Sequence, residues 1–114
     1  LKTDSPASSH KTVLDSLLLQ IPGVEAADMS GFPAYFINKK MFACIHDSGV
    51  GIRLPVSAAT ELQFSRGNVV AFKPNGKAST REWVQINHDD SADYERDLEL
   101  FHSSIAFVKA ERSR

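Results

Sequence analysis

The sequence predicts an α+β domain: an antiparallel sheet of about five to six strands with helices packed on one face, in the order α-β-β-β-(β)-α-β-β-α. Three observations carry this expectation. Residues 32–55 read FPAYFINKKMFACIHDSGVGIRLP, short apolar runs separated by turn-forming pairs. Residues 14–21 place Leu14, Leu17, Leu18 and Ile21 on one side of a helix that Pro22-Gly23 stops. Near the other end, Tyr94, Leu98, Phe101, Ile105 and Val108 recur at four-three-four-three spacing, an apolar stripe for a sheet.

At 114 residues, with 42% hydrophobic and 24% charged residues, the chain has the size and composition of one globular domain. A flexible lead-in is expected over 1–7 and a single domain over 8–111. The start at Leu1 rather than Met suggests a trimmed beginning. No apolar run reaches the ~18 to 20 residues that a spanning helix requires, so no membrane partner is expected. A net charge of −1 gives no general attraction to nucleic acid. The single cysteine excludes an intramolecular disulfide, in keeping with a cytoplasmic location.

The elements follow in order. Ser8 or Ser9 caps the first helix, and VEAADM (24–29) is a candidate short strand. Asn38-Lys39 suits a two-residue hairpin turn, because Asn tolerates the left-handed backbone, and Ser48-Gly49 is a second candidate. The two turns pair Phe36 with Met41, Ala34 with Ala43, Ile45 with Ile52 and Ala43 with Leu54. That register sets Phe32, Ala34, Phe36, Met41, Ala43, Ile45, Val50, Ile52 and Leu54 on a helix-covered face. Tyr35, Phe42, Cys44, His46 and Arg53 fall on the other. Pro55 ends the strand, and residues 57–64 form a helix closed by Gly67. Strands follow at about 69–73 and 83–87, joined through Pro74-Asn75-Gly76. Asp90 or Ser91 caps the last helix, with acidic residues early and Lys109, Arg112 and Arg114 late, as the helix dipole favours.

The chemical signatures are weak. A nucleophilic cysteine needs a lowered pKa and some exposure. His46 lies two residues from Cys44 on the same strand face, roughly 6 to 7 Å away by strand rise, too far for a direct hydrogen bond. Cys44 therefore reads as a small buried residue. His10, His46, His88 and His102 never fall one helical turn apart, and no metal or cofactor is expected. Gly76-Lys77-Ala78-Ser79 imitates a phosphate loop, but Ala71 stands where its first glycine belongs. No catalytic set is evident, and the expectation is a non-enzyme. Arg53 interrupts an apolar strand on the side of Tyr35, Cys44 and His46, where Trp83 and Gln85 should join it. A guanidinium beside aromatics and amides can hold an anion, a base or a carboxylate.

Met29-Ser30-Gly31, FPAYFINKKMFACI, VGIRLP, the FKPNG loop, EWVQI and the terminal helix together resemble, in order, the motifs of the TfoX amino-terminal domain family (TfoX/Sxy-like) over residues 24–110. The resemblance implies a fold related in shape to YjbR (MmcQ)-like proteins. The namesake regulates natural competence, and YjbR-like relatives are often labelled DNA-binding. Here Ala27-Asp28 replaces the basic pair that often precedes the family's Met, and the hairpin glycine is Lys39.

The leading expectation is a cytoplasmic, non-enzymatic domain of regulatory type that binds a protein partner or a second copy through Tyr35, Cys44, His46, Arg53, Trp83 and Gln85. The alternatives are nucleic-acid binding through Arg66, Lys73, Lys77 and Arg81, and a small-ligand module.

Overall fold

The computed structural model describes residues 6–29, 32–46, 49–72 and 82–110. Helix α1 (Pro6–Leu18) leads into β1 (Val24–Met29), β2 (Phe32–Ile37), β3 (Lys40–His46) and β4 (Gly49–Arg53). Helix α2 (Val56–Ser65), β5 (Val69–Ala71), β6 (Trp83–Ile86), a 3-10 segment (Ser91–Asp97) and α3 (Leu98–Ala110) complete the chain. All described pairings are antiparallel, and the sheet runs β1-β2-β3-β4-β6-β5. The α+β class and the element order match the expectation. Candidate strand 24–29 is formed, and the first helix begins at Pro6, ahead of the expected Ser8 or Ser9 cap.

Asn38 and Lys39 both have positive φ, 52° and 66°, so the β2–β3 turn is the left-handed pair its sequence suggested. Beyond it the register departs from expectation. Phe36 faces Met41 as anticipated, but Tyr35 faces Ala43 and Ala34 faces Cys44. Phe42 is thus an extra residue in β3, a one-residue bulge that shifts every later pair. Because side chains alternate with period two, that residue reverses the faces of β2 relative to the rest of β3. Tyr35, Ile37, Phe42, Ala43 and Ile45 lie in the helix-side core, while Ala34 and Cys44 lie on the opposite face, with Phe32, Phe36 and Met41 packed beside them. The expected places of Phe32, Ala34, Phe36, Met41, Tyr35 and Phe42 are corrected accordingly.

The β3–β4 register differs as well, but harmlessly for the faces. Ile45 pairs with Val50 and Ala43 with Ile52, a slip of two from the expected pairing. An even slip keeps parity, so Val50, Ile52 and Leu54 remain in the helix-side core. Gly49 is a strand residue opposite His46, not part of a turn.

Leu14 and Leu18 of α1, Ala59 of α2, and Phe101, Ile105 and Val108 of α3 close this core with Val84 and Ile86 of β6. Ser104 Oγ donates to the carbonyl of Phe42 at 3.1 Å, tying α3 to the bulge. Each fully buried aliphatic or aromatic side chain here contributes about 1.5–3 kcal/mol. No described helix is long and apolar enough to cross a membrane.

Candidate functional site

The sheet has a second apolar cluster on the face away from the helices. Ala34, Cys44 and Phe72 are buried there, with Phe32, Phe36, Met41 and Trp83 half-buried around them. No residue of a described helix belongs to this cluster. Its rings form a continuous row. Phe32 meets His46 edge-on at 6.0 Å, His46 meets Phe72 edge-on at 5.6 Å, and Phe72 lies 5.4 Å from Trp83 at a tilt of 32°. Such offset and edge-to-face pairs are the arrangements that aromatic quadrupoles favour.

Gly51 makes room for this row, and Gly49 for the polar pair beside it. A Cβ on Gly51 would lie 2.9 Å from the Phe72 ring and 3.1 Å from Cys44 Sγ. Gly49 lies beneath Gln85 and Asn87, whose side chains bond to each other at 2.8 Å (Gln85 Nε2 to Asn87 Oδ1). Glycine in the interior of a strand marks such close approach.

Four of the six residues expected to share a binding face do so: Cys44, His46, Trp83 and Gln85. Cys44 is wholly buried, and burial pushes its thiol up to about 12, against a weaker lowering by a backbone hydrogen bond from Gly51. The thiol is therefore protonated at neutral pH, the wrong state for a nucleophile.

The other two are drawn elsewhere. Tyr35 is on the helix side, where its hydroxyl donates to Asp15 Oδ1 at 2.6 Å while Lys11 Nζ holds Asp15 Oδ2 at 2.7 Å. Burial, followed by the bond to Asp15 and that carboxylate's charge, raises the Tyr35 phenol well above the ordinary tyrosine range. Arg53 pairs with Trp83 in the ladder and alternates with Ile52 and Leu54. Its head, however, bonds Glu82 Oε1 through Nε and Nη2, both at 2.9 Å, and lies 5.4 Å from the ring of Phe107 on α3. Arg53 is a rim residue joining sheet and helix, not a member of the ring row.

Of the basic set, Arg66 forms an ion pair with Asp97, Nη2 standing 3.0 Å from Oδ1 without the alignment of a hydrogen bond. Lys73, Lys77 and Arg81 lie outside the described residues. Asp97 is only 1% exposed, and its other oxygen takes His88 Nε2 at 2.7 Å. His88 and the buried His10 both meet the Tyr94 ring edge-on, at 4.6 and 4.8 Å, and His10 Nδ1 is 2.6 Å from Ser91 Oγ. The Tyr94 hydroxyl donates to the Ile86 carbonyl at 2.8 Å and accepts from the His88 amide at 3.2 Å. This cluster locks the end of β6 to the 3-10 segment and α1. Both ring nitrogens of His88 have neighbours, since Asn68 Nδ2 stands 3.4 Å from Nδ1. That leaves the imidazole with a structural role. Among the described residues, no group of three or more potential metal ligands converges.

Sequence reasoning missed Phe32, Phe36, Met41 and Phe72 as members of the outer face. The available signal was the pair Gly49 and Gly51 in an otherwise apolar strand.

The fold is an α+β sandwich of one antiparallel sheet with helices on one face and an apolar, ring-lined second face. No protein-family model matches the chain, and no curated protein matches it in sequence. Among solved structures, the chain is similar to the Deinococcus radiodurans protein DR2400, whose domain is DUF419. The TM-score is 0.72 at 14% identity, covering 96% of this chain and 84% of that one. At that identity the likeness establishes the fold alone.

Proposed function

We propose that this chain is a non-enzymatic binding domain that engages a protein partner, a second copy of itself included, through the outer face of its sheet. The observation that carries the reading is the row Phe32–His46–Phe72–Trp83 with Phe36 and Met41 beside it, set opposite the helices. Aromatic and methionine side chains are enriched where proteins meet, and a contiguous apolar patch is a common sign of such contact. The buried, protonated Cys44 supports a packing role over thiol chemistry.

The test is light scattering over a concentration series together with a pull-down, using wild type and Phe36→Asp. Association or partner capture that the substitution abolishes, with the fold retained, supports the reading. A monomer at every concentration whose captured partners are unchanged by Phe36→Asp overturns it.

Nucleic-acid binding through Arg66, Lys73, Lys77 and Arg81 is the competing reading. The commitment of Arg66 to Asp97 counts against it. Duplex and single strands titrated at low salt decide the matter, because phosphate contacts weaken steeply as salt rises.

A further inference from the structure

We propose that the outer edge of β1 accepts an extended segment of a partner protein as an added antiparallel strand, and that this segment carries two basic residues three apart with a large apolar residue between them. This surface is separate from the aromatic face and does not depend on it. Strand β1 ends the sheet, and among the described residues it pairs with β2 alone. A six-residue edge presents backbone donors and acceptors to any chain that can extend alongside it. Glu25, Ala26, Ala27 and Asp28 are all exposed.

The side chains along this edge specify the occupant. Ala26 pairs with Tyr35 and Asp28 with Pro33, which puts both on the helix side, whereas Ala27 pairs with Ala34 of the outer face and Glu25 alternates with it. Helix α1 packs over β3 and β4, leaving a groove of about 230 Å³ beside β1 lined by Lys11, Ala26, Ala27, Asp28, Pro33 and Tyr35. The amine of Lys11 is already bound to Asp15. A strand running antiparallel would set one residue against Asp28, the next against Ala27, the third against Ala26 and the fourth against Glu25. The third points into the groove, where the small Ala26 leaves room for a leucine-sized side chain. The first and fourth face carboxylates.

A second copy is the poorer occupant. Residues opposed across an antiparallel two-fold share a face, so in the register centred on Ala26 or the one centred on Ala27 both Glu25 and Asp28 would face apolar residues of the copy and gain no cation. A segment with lysine or arginine at those two positions supplies one to each.

The experiment uses the full chain and a labelled peptide, Thr-Lys-Val-Leu-Lys-Thr, followed by fluorescence anisotropy. Wild type is expected to bind saturably, with slowed amide exchange over residues 24–28. The double variant Glu25→Lys/Asp28→Lys should bind at least about ten-fold more weakly, as for an interface that loses close charge pairs. The same variant should take up Thr-Glu-Val-Leu-Glu-Thr, which wild type rejects, and that rescue shows the variant is folded. No saturable binding by wild type, or equal binding of the lysine peptide by wild type and variant, overturns the proposal.

Discussion

Gly51 lies directly under the ring of Phe72, so close that a Cβ would come within 2.9 Å of it. Phe72 is only 4% exposed and is held between His46 and Trp83, so the ring cannot swing clear without disturbing both. Placing Phe72 there couples the edge strand β5 to the centre of the sheet on the side away from the helices. Gly51→Val should destabilise the domain by about 1–3 kcal/mol through overpacking. Urea unfolding checks this, and the emission of Trp83, the single tryptophan, should shift in the folded state as Phe72 is displaced.

Breaking the Asp97 site should be costly in a different way. Asp97→Ala leaves Arg66 and His88 facing a hole at the end of β6. Arg66 keeps partial access to water, so the loss should be about 3 kcal/mol, at the lower end for a broken buried pair. Thermal unfolding measures it, and Asp97→Asn should recover part of the loss by still accepting one hydrogen bond.

The hairpin turn offers a gain. Lys39 has φ of 66°, a region that costs L-residues roughly 1–2 kcal/mol, whereas glycine enters it freely. Lys39→Gly should stabilise the domain by about 0.5–1 kcal/mol, once the greater freedom of glycine in the unfolded chain is deducted. A rise in the urea midpoint with an unchanged slope is the expected result.

Alkaline pH should weaken the fold through two groups in particular. Burial raises Cys44 from 9.0 to about 12 and Tyr94 from 10.0 to about 12. Both groups are neutral acids with folded values above their unfolded ones. Their contribution is intact below the unfolded pKa and is lost as pH rises toward the folded value, because the unfolded chain gives up protons first. Stability should therefore fall between about pH 9 and 12. Cys44→Ala should lessen that slope near its lower end, and a thiol reagent should label wild type only on unfolding.

Much of this architecture was legible in the sequence, and the part that was not has identifiable causes. Asn38-Lys39 gave the β2–β3 turn, and Tyr94, Phe101, Ile105 and Val108 gave the apolar stripe. Phe42 was illegible as a bulge, since nothing distinguishes an extra apolar residue from the next one in an alternating strand. The faces of β2 were reversed as a result, along with the place of Tyr35. Asp97 was hidden because the segment before α3 is a 3-10 helix, where residues three apart eclipse and Asp97 lies below Tyr94. An α-helical reading put Leu98 there instead. Cys44, His46, Trp83 and Gln85 were placed on one face because simple alternation holds in β6 and in the part of β3 beyond the bulge. Arg53 shares that alternation, but its long side chain reaches Glu82 and Phe107, which alternation cannot foresee.

Photocrosslinking from the outer face tests most directly whether that face meets a protein. A benzophenone amino acid at Phe36 probes the aromatic surface, and one at His102, exposed on α3, serves as the control. A discrete protein adduct is expected from position 36, to a partner or a second copy, and none from 102. No adduct at 36, or the same adducts from both positions, would contradict a protein contact there.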